Sequence, residues 1–286
     1  MHIVVCVKQV PDATEVRIDP KTNTLVREGI PSIVNPYDLH AVEAAVLLRE
    51  QWGGKVTVLS MGPPQAAEAL QKCVGQGADE AILLTDRAFA GADTLATSYA
   101  LAKAIETIAA KEPVDLVLTG RQAIDGDTGQ VGPGIAARLG LPVLTYVCKI
   151  RSIDLTQRRL VAERLLEEGR EVVESRLPAL LTVVKEIAEP RYASLPSLLR
   201  AARYKVQAWN KDDIQADAQQ LGLKGSPTVV GTIFSPPGRQ AGPQLEGEPQ
   251  AIAAQLVHEL AARGIIGIQG PVGVSRFESI TQRQSA

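Results

Sequence analysis

The sequence predicts an α/β fold, a mainly parallel sheet with helices on both faces. Residues 1 to about 145 alternate short apolar runs with helical stretches of crossover length, the pattern of right-handed connections between parallel strands. From about residue 143, short strand-like runs follow one another with no long helix between them, as antiparallel additions do. At 286 residues and 45% hydrophobic content, the chain can bury a large core.

The elements follow in order. "HIVVCVK" reads as a buried strand by its β-branched content. "VRIDPKTNTLVRE" alternates around Asp19-Pro20-Lys21-Thr22-Asn23, the pattern of a hairpin. In "NPYDLHAVEAAVLLREQWGG", Asn35 can cap a helix and Pro36 suits its first position. Leu39, Val42, Ala45 and Val46 form an apolar stripe that Trp52 can extend, and Gly53 and Gly54 stop the helix. "KVTVLSMG" is a second core strand, and Pro63 and Pro64 open the helix "PPQAAEALQKCVGQGA". "EAILLTD" is a third strand; "GADTLATSYALAKAIETIAA" is a long helix that Asp93 or Thr94 can cap; "VDLVLTG" is a fourth strand.

"VLTYVCKIRSI", "RRLVAERLL", "REVVESRL" and "ALLTVVKE" read as the antiparallel additions, and "LPSLLRAARYKV" as a short amphipathic helix. Residues 205–250, rich in Pro, Gly, Gln and Asp, suggest an extended arm. "QAIAAQLVHELAARGII" is a closing amphipathic helix with Ile252, Leu256 and Leu260 at spacings of four. The expected division is a nucleotide-binding α/β domain over 1–204 and an arm with its helix over 205–286. The arm either packs on a partner or folds back on its own domain.

Composition excludes several classes. A net charge of −2 and 3% aromatic residues argue against a nucleic-acid surface. The apolar runs fall well short of the roughly 20 residues of a membrane helix. The first residues read as a strand, not a signal peptide, so a cytoplasmic location without membrane insertion is expected. Cys6, Cys73 and Cys148 are scattered, and His2, His40 and His258 lie far apart. Neither disulfides nor a metal site is expected.

Ligands of such sheets bind beyond the carboxyl ends of the strands, here residues 8–12, 60–63, 86–94 and 120–133. The last segment carries Asp125 and Asp127 among Gly126, Gly129, Gly132 and Gly134. Three readings stand: a nucleotide loop, a structural loop, or an acid pair for catalysis or metal binding. Glycines suit close backbone approach to a ligand. Gln122, Thr128 and Gln130 offer hydrogen bonds, and N–H groups at the next helix start favour phosphate. "GPGIAA" matches GxGxxG/A formally, but its strand ended twelve residues earlier, at Gly120. "AGADTLATS" is a second candidate, with Gly91, Asp93, Thr94, Thr97 and Ser98 at a helix start; the alternative is an ordinary capped helix. Two phosphate-binding starts suit a diphosphate such as FAD or NAD better than a monophosphate. In "RYASLPSLLRAARY", Leu195, Leu198 and Leu199 lie near Arg191, Arg200 and Arg203. This suits either a docking patch for an acidic partner or a core-facing helix with solvated arginines.

Together these segments resemble the β (small) subunit of electron-transfer flavoproteins over nearly the whole chain. The likeness rests on "VKQVPD", "NPYD..AVEAA", "GRQAIDGDTGQVGP" and "PRYASLP". It also rests on the block "AERLLEEGREVVESRLPALLT", with Arg164, Glu167, Glu168, Glu171, Pro178 and Thr182 at family spacing. The resemblance implies an adenine-nucleotide alpha-hydrolase-like sheet. It implies a heterodimer whose α subunit carries redox-active FAD, with the C-terminal arm packing on that subunit.

In the housekeeping branch this subunit holds AMP and accepts electrons from acyl-CoA dehydrogenases. In the electron-bifurcating branch it holds a second FAD reduced by NADH, and electrons go to ferredoxin or flavodoxin and, through the α-subunit FAD, to an acyl-CoA dehydrogenase or quinone reductase. "VKQVPDATEVRID", "LVREGIPSIVNPYD", "LLTDRAFAGADTLATS" and "LGLKGSPT" resemble the bifurcating branch.

By motif match, the nucleotide site draws on Cys6, Asn35, Tyr37, Asp38, Met61, Gly62, Asp93, Thr94 and Thr97. From the loop it draws on Gly120, Arg121, Gln122, Ala123, Asp125, Gly126, Asp127, Thr128, Gln130, Val131 and Gly132. No catalytic side chain is implied. Leu195 matches the family's docking anchor, with Arg191 and Arg200 as its rim. A tyrosine that housekeeping members place near the α-subunit flavin has no match, its position falling at Ala13 or Thr14. Outside the family, an unrelated α/β module that hydrolyses or senses ATP would share the pattern.

Overall fold

The computed structural model describes residues 1–12, 18–19, 24–25, 32–231, 242 and 244–267. The first strand, β1 (His2–Cys6), is buried along its whole length. Ile3 and Val5 join one core cluster and Val4 and Cys6 the other, so both faces of the sheet are covered. Two short ladders follow. β2 (Gln9–Pro11) pairs with β5 (Ser32–Val34), and β3 (Ile18–Asp19) pairs antiparallel with β4 (Thr24–Leu25). The second ladder is the expected hairpin; its turn lies outside the described residues.

α1 (Pro36–Trp52) begins at Pro36, as expected, and ends where Gly53 takes a φ of 70° and donates to the Arg49 carbonyl. Val42, Ala45 and Val46 are buried, whereas Trp52 stays 40% exposed and leaves the stripe. β6 (Lys55–Met61) leads through a 3₁₀ turn at Pro64–Ala66 into α2 (Ala67–Gln76). Thus Pro63 and Pro64 open the turn before that helix, not the helix itself. β7 (Glu80–Leu84), α3 (Thr94–Lys111), β8 (Leu116–Gly120) and α4 (Val131–Leu139) complete the alternating half. α1 and α2 cover one face of the sheet and α3 and α4 the other.

The second half supplies β9 (Val143–Asp154), β10 (Arg159–Leu166), β11 (Gly169–Arg176) and β12 (Ala179–Val183). Among the described residues, the main sheet runs β11-β10-β9-β12-β8-β1-β6-β7-β13, where β13 is Gln207–Trp209. β9, β10 and β11 pair antiparallel in sequence, as expected. "ALLTV" departs from expectation: β12 lies between β8 and β9 and is parallel to both. All five of its residues are buried. A fully buried run of that kind, apolar but for Thr182, belongs in the middle of a parallel sheet, not at an antiparallel edge.

α5 (Leu195–Arg203) packs beside α2. The chain forms two compact units, Met1–Phe234 and Ser235–Ala286. Residues 205–231, expected within the arm, belong to the first unit, because β13 extends the sheet parallel to β7. In the second unit, α6 (Pro249–Ala262) is the expected closing helix, and none of its residues is buried. Among the described residues, no helix is long and apolar enough to cross a membrane.

Candidate functional site

The carboxyl ends of β1 and β8 are joined by one side chain. Asp38, in the first turn of α1, accepts the Lys8 backbone N–H at 2.8 Å and the Gly120 N–H at 3.1 Å. Burial pushes its carboxyl up to about 7, against the pull of hydrogen bonds from Asn35, Lys8 and Gly120. Gly120 has to be glycine: a Cβ there would lie 2.3 Å from Asp38 Oδ1 and 2.7 Å from Tyr37 Cβ. Asn35 does not cap α1 through its side chain. Fully buried, it instead donates to the Gln122 carbonyl at 2.9 Å and accepts the Ile124 N–H at 3.1 Å. Asn35 and Asp38 therefore fix the first residues of the 120–130 loop to the sheet.

The two acids of that loop do not form a pair. Asp125 receives Lys8 Nζ on both oxygens at 2.7 Å. Asp127, held at a φ of 54°, accepts from Gln122 Nε2, and its N–H reaches the Ala123 carbonyl at 2.8 Å. Each acid is engaged in shaping the loop, which disfavours the catalytic-pair reading. Thr128 is exposed, and a Cβ on Gly126 would meet nothing within 4 Å. The chain's own packing thus does not require glycine at 126, whereas a ligand approaching the backbone would.

Two helix starts flank the loop and differ in kind. α4 begins at Val131 with no side-chain cap from Gln130, so the Val131 and Gly132 N–H groups have no capping acceptor among the described residues, and Pro133 carries no N–H. α4 sits tightly on its neighbours: a Cβ on Gly132 would lie 2.8 Å from Thr119 Oγ1 and Thr182 Cγ2, and one on Gly134 2.9 Å from Ser98.

α3 is capped from within. Asp93 Oδ1 accepts from Leu95 N at 2.9 Å and Ala96 N at 3.0 Å, and Oδ2 accepts from Thr228 N and Oγ1. Burial works against its ionisation, but those hydrogen bonds outweigh it and hold the carboxyl below its usual range. The amides expected to receive a second phosphate at "AGADT" are therefore partly taken. Thr94 Oγ1 donates to Gln130 Oε1 at 2.9 Å, tying the two helix starts together.

At the adjacent strand end, Met61 and Gly62 are half-buried, and Gly62 N–H reaches the Leu84 carbonyl at 3.0 Å. Neighbouring Ser60 Oγ is buried with no partner among the described residues. Cys6 is buried under this end, and burial pushes its thiol up to about 12, so it stays a neutral packing group. Ala13 and Thr14 lie outside the described residues.

Sequence reasoning missed a neighbouring cleft of about 560 Å³, lined by residues that include Tyr37, Arg121, Tyr146, Arg164 and Glu167. The Arg121 guanidinium stands 5.1 Å from the Tyr37 ring centre and 5.5 Å from that of Tyr146. Arg164 donates to the Thr145 carbonyl and hydroxyl at 3.2 and 2.9 Å. The sequence singled out Tyr37, Arg121, Arg164 and Glu167 in separate motifs but not their meeting in one cleft, because the insertion of β12 brings its walls together.

The expected docking helix is inverted relative to an ordinary surface helix. Leu195, Leu198 and Leu199 of α5 are 70%, 52% and 51% exposed, while Ala201 is buried. Arg200 reaches inward to the carbonyls of Val74 and Ala78. Arg191 is held by Glu43 and Glu50. These two arginines, expected as a charged rim, are thus engaged by groups of the chain itself while both residues stay exposed.

An α/β sheet with a glycine-rich loop beyond a central parallel strand defines a nucleotide-binding class, and the comparisons narrow it. Residues 22–214 match the electron transfer flavoprotein domain, and the chain belongs to that family. It is similar to an electron transfer flavoprotein subunit beta of Thermoanaerobacterium thermosaccharolyticum, 51% identical over 93% of this chain and all of that protein. Protein FixA of Bradyrhizobium diazoefficiens is 53% identical over 84% of each chain. The Caffeyl-CoA reductase-Etf complex subunit CarD of Acetobacterium woodii is 49% identical over 93% of this chain and all of that subunit. The chain is thus a β-type subunit concerned with electron transfer, not an unrelated ATP module.

Proposed function

We propose that this chain is the β subunit of a heterodimeric electron-transfer flavoprotein and holds an FAD that takes electrons from NADH. The observation that carries the choice of FAD is the Thr94–Gln130 hydrogen bond. It sets the hydroxyl-bearing start of α3 on the same rim as the uncapped start of α4, so one pyrophosphate can meet both. Gly126 gives room for backbone approach. Val131 and Gly132 would hold phosphate through N–H groups, with Thr94 and Thr97 beside them. Asn35, Asp38, Gly120 and the Lys8–Asp125 pair keep the loop in place.

A bound FAD would supply the chemistry that splits the electron pair of an NADH hydride between the α-subunit FAD and ferredoxin or flavodoxin, the proton passing to solvent. From the α subunit the electron would pass to an acyl-CoA dehydrogenase or quinone reductase, docked at Leu195. A relative named as part of a caffeyl-CoA reductase complex supports a CoA-linked partner. The protein's part is to bind, orient and shield; no side chain need serve as acid or base. This reading expects a cytoplasmic protein whose second unit packs on the α subunit.

One observation favours a second reading, a simple carrier with structural AMP. Asp93 occupies the Leu95 and Ala96 N–H groups, leaving of these two helix starts only that of α4 without a side-chain cap. Flavin and nucleotide analysis of the purified heterodimer decides between them. Two FAD per heterodimer is expected; one FAD with one AMP would overturn bifurcation in favour of the carrier.

A further inference from the structure

Just before the exposed leucines of α5, Arg191 is gripped from α1. Glu43, 3% exposed, accepts the Arg191 backbone N–H at 3.1 Å and its Nε at 2.8 Å. Glu50 receives Nη1 at 2.6 Å and Nη2 at 3.0 Å. Gln76 of α2 donates to the same Glu43 carboxylate at 3.3 Å and to the Leu39 carbonyl at 2.9 Å. All three guanidinium nitrogens are thus engaged, and the backbone of residue 191 is fixed as well.

The next residue, Tyr192, is fully exposed. Ser194 caps α5 by accepting the Ser197 N–H at 3.3 Å. Gly75 of α2 lies beside Ala201 and Ala193; a Cβ there would make ordinary contact with theirs at 3.4 and 3.7 Å. An apolar segment projecting into water gains nothing from order in the free protein. A partner gains from it, because a pre-ordered segment loses less conformational entropy on binding.

We propose that Glu43 and Glu50, acting through Arg191, are positioning residues that hold segment 192–199 in its docking form before a partner arrives. The proposal rests on the reading that Leu195 anchors an acyl-CoA dehydrogenase. Arg191 acts here as a support, because each of its three guanidinium nitrogens donates to one of the two acids. A buried carboxylate on α1 needs a compensating cation, and here the cation carries the docking segment.

The test uses the whole heterodimer and an acyl-CoA dehydrogenase reduced by its acyl-CoA substrate. Steady-state kinetics gives KM for the dehydrogenase, and amide hydrogen exchange reports on 192–199. Arg191→Lys reaches one acid instead of two. It should raise KM about tenfold and speed exchange of 192–199 to a similar degree, with kcat and flavin content unchanged. Glu50→Gln should do the same more weakly; its acid is half exposed, so it decides the matter if Arg191→Lys fails to fold. Faster exchange with an unchanged KM would overturn the proposal. Leu195→Ala separates the two claims. A wild-type KM in that variant overturns the docking reading itself, whereas a raised KM there with wild-type KM in both clamp variants overturns the clamp alone.

Discussion

Asp38 joins two strand ends through two backbone N–H groups, in a place where an ionised carboxylate is costly. Burial lifts its carboxyl from 3.8 to about 7. A folded value above the unfolded one means that the stability it contributes is complete below about pH 4 and is lost as pH rises toward 7. The slope is ~1.4 kcal/mol per pH unit. Urea unfolding across that window should show this fall in the wild type and a flatter profile in Asp38→Asn. A wild-type contribution that instead rises with pH would mean that the two N–H donors outweigh burial. Two glycines make a second residue-scale test. Gly132→Ala places a Cβ 2.8 Å from Thr119 and Thr182 and should cost ~1–3 kcal/mol of stability. Gly126→Ala meets nothing within 4 Å; it should leave the unfolding midpoint in place and lower nucleotide content. If both variants bind nucleotide normally, the loop is structural. The sequence indicated glycines for ligand approach, but it could not separate one that faces its own sheet from one that faces open space. That distinction depends on residues 119 and 182, far from 132 in sequence.

At the level of elements, capping and anion binding compete for the same amides. Asp93 was legible as a cap from its place before a helical run. The consequence, that its carboxylate occupies positions a phosphate would use, follows from the same chemistry but shows only once the hydrogen bonds are counted. Gln130, by contrast, turns its side chain toward Thr94 and leaves the start of α4 uncapped. Thr94→Val with Thr97→Val should therefore lose the flavin of this subunit while the α-subunit flavin stays, as read by flavin-to-protein ratio. Retention of both flavins would mean that the start of α3 holds no phosphate of this flavin and would overturn the two-start argument. Strands and helices up to α4 were legible because each carries its own period. The place of β12 was not, since a short apolar run reads alike at the edge and in the middle of a sheet. The cleft walled by Tyr37, Arg121 and Tyr146 was hidden for the same reason.

For the whole molecule, the sheet ends within the first unit and the closing helix lies in the second. A chain ending at residue 234 should keep the unfolding midpoint of the first unit and fail to co-elute with the α subunit in gel filtration. Co-elution at full yield would place the partner surface elsewhere. The position of β12 also has a consequence for how the protein is made. β8 lies between β1 and β12, and the Arg121 N–H is received by the Val183 carbonyl. A ribosome that has released only the alternating half therefore leaves one edge of β8 bare and the following loop untethered on that side. Such an edge invites pairing with another chain. That edge is covered and the loop tethered only once residue 183 has emerged, so translation of the middle of the message, more than of its start, sets when the edge of β8 is closed to pairing with another chain.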